Sequence, residues 1–282
     1  MDVAIPAQAL LGEGPRWDAR SRRLLWVDIE GRALHVFDPA SGHARDLPLG
    51  SRVGSAAPMD SGGVLVAVAD RLAVVDLDDG STRTLVEIPH GKGMRLNDGA
   101  CDPAGRFWVG SMALDETPGA AALYRFSHGS GLDRVLDGVT LSNGLGWSRD
   151  GTTMYYVDSP TYRIDAFDVD VAAGEISGRR QWVAIEPGAG IPDGLAVDDE
   201  GGVWLALWGG GAVRRYAPDG ALDLVLEVPT DNVTACCFGG DDGRSLYVTT
   251  ASVDLDEEQP LAGSVFVAEV DVSGPAAQPF AG

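Results

Sequence analysis

Histidine and cysteine are scarce in this chain, 4 and 3 residues of 282, and that scarcity removes several chemistries at once. The cysteines include the adjacent pair Cys236-Cys237 and show neither zinc-cluster nor redox-pair spacing, so buried thiols are expected, with Cys101 in an inner strand. His35, His43, His90 and His128 stand in strand or loop contexts; of these, His90 alone is a candidate to visit a site. There is no His-Glu-x-x-His, no Gly-x-Ser-x-Gly elbow and no P-loop, which argues against zincin, Ser/His/Asp and nucleotide chemistry. No window approaches the roughly 20 apolar residues of a membrane span, and Met1 to Pro6 reads as neither a basic start nor a cleavable apolar run. Basic residues are outnumbered, 21 against 42 acidic, and the net charge of -21 opposes a nucleic-acid or anionic-membrane surface. The expectation is a cytoplasmic protein.

What the chain has in plenty is turns and short strands. It carries 38 Gly and 16 Pro beside 45% apolar residues. Six copies of one pattern, a polar turn followed by an apolar strand, begin at Asp18, Asp60, Asp102, Asp150, Asp199 and Asp242. Taking Leu24, Val64, Phe107, Met154, Val203 and Leu246 as equivalent gives spacings of 40, 43, 47, 49 and 43. Strand-and-turn repeats of that period, with no helical stretch between them, predict an all-β, six-bladed β-propeller with four-stranded antiparallel blades. Residues 1–282 are read as one such domain, with Val3 to Ile5 completing the last blade so that no edge is left open. The stretches 88–95 and 112–121 exceed hairpin length, and long loops on a rigid ring carry specificity or act as lids; a third, 252–261, is strongly acidic and also fits a solvated excursion.

The segments leading into the blades carry the chemistry. They read Leu11-Gly-Glu13-Gly-Pro15, Arg95-Leu-Asn97-Asp-Gly99, Ser142-Asn143-Gly-Leu145, Pro192-Asp193-Gly-Leu195 and Asp231-Asn232-Val-Thr234. Glu13 and Asn143 stand 11 residues before their anchors, Asn97 and Asp193 stand 10 before theirs, so four oxygen-bearing side chains should meet at one mouth of the channel. The second blade offers Ser55-Ala-Ala-Pro58 there and leaves a gap in the circle. Glycine directly after Glu13, Asn143 and Asp193 suits a sharply bent backbone. Two carboxylates with an amide and no His or Cys describe a hard-cation site for Ca²⁺, Mg²⁺ or Mn²⁺, though Zn²⁺ or Fe²⁺ also accept oxygen. Single Asp-Gly or Asn-Gly pairs are ordinary turns, but four matching offsets with different residue types are harder to read as structural.

Here the chain resembles a known group, the SMP-30, gluconolactonase and luciferin-regenerating-enzyme family, also called regucalcin-like. The matching motifs are Leu11-Gly-Glu-Gly-Pro15, Trp26-Val-Asp-Ile29, Arg95-Leu-Asn-Asp-Gly99, Asp102-Pro-Ala-Gly-Arg106, Ser142-Asn-Gly-Leu145 and Asp193-Gly-Leu-Ala-Val197. The resemblance implies a six-bladed propeller holding one divalent cation on Glu13, Asn143 and Asp193, with Arg95 and Asn97 contacting substrate. Its enzymes mostly open sugar lactones to aldonic acids, and residues 205–210 look more like bacterial sugar lactonases than animal regucalcin. Asp115, with Glu116 beside it, stands where animal members place a glutamate in the third-blade lid. Asp193 is the expected catalytic residue, orienting a water and taking its proton. A sugar lactone is the expected partner, the chain acting as a monomer or small homo-oligomer. A Ca-dependent phosphotriesterase-like hydrolase and a non-catalytic calcium-binding regulatory propeller are the alternatives.

Overall fold

A computed structural model of the chain describes residues 1–255 and 257–282; Asp256, inside the acidic 252–261 stretch, lies outside them. The chain forms six four-stranded antiparallel sheets arranged as propeller blades. The first blade is a meander through Gly12–Asp18, Arg23–Asp28, Ala33–Asp38 and His43–Pro48. The repeat anchors Leu24, Val64, Phe107, Met154, Val203 and Leu246 all fall in the second strand of their blades. The segments read from the sequence as leading into a first strand are themselves the innermost strands: Gly12–Asp18, Val53–Pro58, Met94–Cys101, Ser142–Trp147, Ile191–Val197 and Val233–Gly239. The ring closes as expected, because Asp2–Ile5 adds to the sixth blade antiparallel to Val265–Glu269, with Val3 opposite Phe266.

The recurring aspartate has a mechanical use. Asp102 accepts hydrogen bonds from the Ala104 and Arg106 amides, from Arg106 Nε at 2.6 Å and from Trp108 Nε1 at 2.9 Å, tying the turn to the strand that follows. In the fifth blade the side chain with this role is Asp198, one residue before the repeat position Asp199. It accepts from the Glu200 and Gly202 amides, from Trp204 Nε1 at 2.9 Å and from Arg215 Nε at 2.7 Å. An indole N–H buried beneath a blade needs an acceptor, and the turn carboxylate supplies it.

Apolar residues alternate toward both faces of each blade, so the core is a set of six layers between neighbouring blades. Trp26, Trp108 and Trp204 are among the largest fully buried side chains. All three thiols are buried and unpaired. Helix among the described residues is a single 3-10 turn, Ser159–Thr161, and none is long and apolar enough to cross a membrane. The C-terminal segment returns across the underside: the Phe280 amide donates to Pro58 O at 2.8 Å, and its ring stacks on Phe126 with centroids 5.5 Å apart. Phe280 is fully buried between the second and third blades. Phe280→Ala should therefore cost about 3–5 kcal/mol in a urea unfolding titration. A loss under about 1 kcal/mol would show that the tail only lies on the ring.

Candidate functional site

In every blade the innermost strand shifts register against its neighbour. The shifts lie between Glu13 and Arg16, Val53 and Ser55, Leu96 and Gly99, Ser142 and Leu145, Pro192 and Leu195, and Val233 and Ala235. Such a bulge releases residues from the ladder and re-aims their side chains. Glu13 borders one of these irregularities, and Asn97, Asn143 and Asp193 fall inside them. The glycines that follow serve two purposes. Gly14 adopts a φ of 51°, the left-handed region expected of a bent chain. Gly144 and Gly194 are needed for closeness instead: a Cβ would lie 2.6 Å from Asp193 O at the first and 2.4 Å from Ala235 Cβ at the second.

Glu13, Arg95, Asn97, Asn143 and Asp193 come together at one mouth of the ring, in a cavity of about 800 Å³. Glu13, Asn143 and Asp193 are each 5% exposed. Asn97 Nδ2 donates to Ser142 O at 2.8 Å and to Asn143 Oδ1 at 3.0 Å, while Asn97 Oδ1 accepts from Arg95 at 2.5 Å. Asn143 Nδ2 donates to Ser159 Oγ at 2.8 Å, and that hydroxyl donates to Pro192 O at 2.7 Å. These bonds orient the Asn143 amide with Oδ1 toward Asn97. Glu13 Oε2 accepts from the Gly14 amide at 2.9 Å, whereas Asp193 Oδ1 is buried with no partner.

The electrostatics follow from this crowding. Burial, then the charge of Asp98, pushes the Glu13 carboxyl up to about 8. Burial also raises Asp193 well above the usual carboxylate range, reinforced by Glu13 and Asp98 and opposed by Arg95. Arg95 is itself pushed down to about 10 by burial. The arrangement gathers carboxyl oxygens around an unsatisfied acceptor and resists their ionisation, and such a place favours a positive guest that would take the place of the protons. Its donors are oxygens of two carboxylates and an amide, which fits a hard divalent cation. The described residues contain no group of three or more His, Cys, Asp or Glu side chains suited to a metal, so the amide of Asn143 is needed to complete a third donor.

Asp115 does not join this group. It is exposed and accepts the amide and hydroxyl of Thr117 at 3.1 and 2.8 Å, capping its own turn, whereas Glu116, at a φ of 53°, lines the cavity. His90 stays away too, its Nε2 3.1 Å from Ala69 O. The rim adds residues that pattern did not single out: the Arg52–Glu30 ion pair at 2.8 Å, Tyr162 and Leu114. Trp208 lines the same cavity.

Residues 11–252 match the sequence profile of the SMP-30/gluconolactonase/LRE-like region. The chain belongs to this family. Among its relatives in the SMP-30/gluconolactonase group is YvrE of Bacillus subtilis (strain 168), named provisionally as a sugar lactone lactonase. It is 36% identical over 100% of this chain and 99% of its own. Regucalcin of Gallus gallus is 38% identical over 96% of this chain and 95% of its own. Among solved structures, a calcium-binding protein, regucalcin, from Agrobacterium tumefaciens str. C58 superposes with a TM-score of 0.94 at 31% identity, over 99% of this chain and 96% of that one.

In the fold Glu13 keeps its proton to about pH 8, and in the unfolded chain it releases it near 4.5. The folded state thus binds the extra proton across that window, and stability falls as pH rises through it. The melting temperature of chelator-treated protein is expected to drop between about pH 5 and pH 8, and Glu13→Gln to flatten the drop. A profile that rises over this range, or one that Glu13→Gln leaves as steep, would contradict the charge crowding described.

Proposed function

We propose that this chain is a divalent-cation-dependent hydrolase that opens a sugar lactone to its aldonic acid. The observation that carries the reading is the unpartnered, buried Asp193 Oδ1 beside Glu13 and Asn143, with Arg95 and Asn97 at the same mouth. Relatives named for lactonase and regucalcin support it. Glu13, Asn143 and Asp193 would hold the cation, Ca²⁺ and Mg²⁺ being the hard ions that suit these oxygens, with Mn²⁺, Zn²⁺ and Fe²⁺ also accepted. When bound, that ion supplies Lewis-acid polarisation of the ester carbonyl and lowers the pKa of an attacking water.

The chain's own residues supply position and proton transfer. Arg95, braced against Asn97 at 2.5 Å, holds the sugar hydroxyls together with that amide and fixes the carbonyl over the cavity floor. Asp193 orients the water and takes its proton at a carboxylate oxygen. The new C–O bond forms from water, the ring C–O bond breaks, and the proton passes to the departing alkoxide, which becomes the free hydroxyl of the aldonic acid. Glu116 and Tyr162 line the approach to this floor, where they would contact the sugar. Three unpaired buried thiols suit work in the reducing cytoplasm.

Asp193→Asn should lower kcat/KM for sugar lactones by roughly 10³-fold, read with a pH indicator and cation supplied. The same change removes a buried, repelled carboxylate, so the cation-free variant should melt no lower than the parent. Undiminished turnover by Asp193→Asn would overturn the assignment.

A further inference from the structure

The mouth of the ring changes character with depth. Its floor is polar and buried: Glu13, Asn143 and Asp193 are each 5% exposed and Arg95 8%. The rim above carries apolar side chains that stand open to water. Leu10 is 47%, Leu114 48% and Tyr162 43% exposed, and all three line the cavity. Nine large apolar side chains are exposed among the described residues, so a third of them gather on this one rim. Trp208 and Val253, both half-buried, join them. The five come from five different blades. Leu10 precedes Gly12–Asp18 of the first, Leu114 follows Phe107–Ala113 of the third, and Tyr162 precedes Arg163–Asp170 of the fourth. Trp208 ends Val203–Trp208 of the fifth, and Val253 follows Ser245–Thr250 of the sixth. Glu116, Asp254 and the Arg52–Glu30 ion pair share the rim. Tyr162 adopts a φ of 51°, a left-handed conformation that a bulky residue enters only at a cost. Packing does not offset that cost in a side chain so exposed, and ligand clamps are among the places where such strain is kept.

Single exposed apolar residues occur on any protein, but a group of them around one cavity marks apolar surface that a ligand covers. A bare sugar gives them nothing to bury: its hydroxyls want donors and acceptors, and Leu10, Leu114 and Val253 offer none. The space is also generous. At about 800 Å³ the cavity stands toward the upper end of the range of about 300–1,000 Å³ that holds drug-sized ligands, and one sugar ring is smaller than those. We infer that the lactone opened here carries an apolar arm, an alkyl or acyl chain of several carbons, at the end of the sugar remote from the carbonyl, and that the rim is the subsite for this arm. The inference rests on the sugar-lactone reading given above. With the carbonyl claimed by the floor, the remote end of the sugar is the part that reaches the rim. There the arm covers Leu10 and Leu114 and lies against the rings of Tyr162 and Trp208. It sits far from the reacting bond, so its burial is the same in the ground state and the transition state. Such uniform binding lowers KM and leaves kcat alone.

Steady-state hydrolysis by the full chain, with Ca²⁺ or Mn²⁺ supplied and a pH indicator as readout, tests the arm on three substrates: D-gluconolactone, its hexyl ether on the terminal hydroxyl, and a disaccharide lactone. The hexyl ether is expected to show a kcat/KM at least about tenfold above that of the bare lactone, with the gain in KM. Leu10→Ser combined with Leu114→Ser should remove most of that gain and keep the bare lactone within about twofold of the parent, because both side chains stand clear of the floor. A hexyl ether turned over no better than the bare lactone would overturn the inference, and this comparison needs no variant. A gain that survives the double substitution would overturn it too, as would a disaccharide lactone preferred over the hexyl ether, which would give the rim to a second sugar. Turnover of the bare lactone without a gain from the chain sinks the arm alone. Turnover of none of the three removes the sugar-lactone reading, and the arm with it.

Discussion

Mutual repulsion of carboxylates held out of water at the axis of a closed ring is the constraint on which this structure turns. Glu13 and Asp193 are each 5% exposed, the buried Asp98 raises both of them further, and Asp193 Oδ1 has no hydrogen-bond donor. A fold would ordinarily avoid such a cluster, because a buried acceptor without a donor costs about 1–3 kcal/mol. Strain of this kind persists where surrounding structure overdetermines it and where function uses it. Six blades closed by the N-terminal strand provide that surplus of structure.

The ring does more than tolerate the cluster; it aims it. Glu13, Asn97, Asn143 and Asp193 each lie at or within a register shift in an innermost strand, so the blade ladders on either side stay regular while one or two residues turn toward the axis. Gly144 and Gly194 let neighbouring innermost strands approach to within distances that any side chain would forbid. Asn97, Asn143 and Ser159 then pass hydrogen bonds from blade to blade, fixing the amide that the donor set needs. Placement on strands rather than loops suits chemistry that depends on small displacements.

Much of this was legible in the sequence because repetition converts offset into geometry. The spacing of Leu24, Val64, Phe107, Met154, Val203 and Leu246 counted the blades, and offsets of 10 or 11 residues pointed Glu13, Asn97, Asn143 and Asp193 to one mouth of the ring. Local pattern misplaced details set by hydrogen bonding: Asp198 rather than Asp199 caps the fifth-blade turn, and Asp115 caps its own loop while Glu116 reaches the cavity. Contacts across the channel left no trace in any periodicity. Arg16 and Asp98 are 82 residues apart in non-adjacent blades, and Ser159 acts on Asn143 through a 3-10 turn that no repeat contains. Such pairs arise from the ring's closure, which only three dimensions display.

The most direct test of a single cation held by remote oxygens is anomalous diffraction from crystals soaked in Mn²⁺ or Ca²⁺. The account predicts one strong peak in the cavity, with oxygens of Glu13, Asn143 and Asp193 within about 2.3–2.6 Å for Ca²⁺. A peak seated elsewhere, or none while those three side chains keep their present positions, would contradict it.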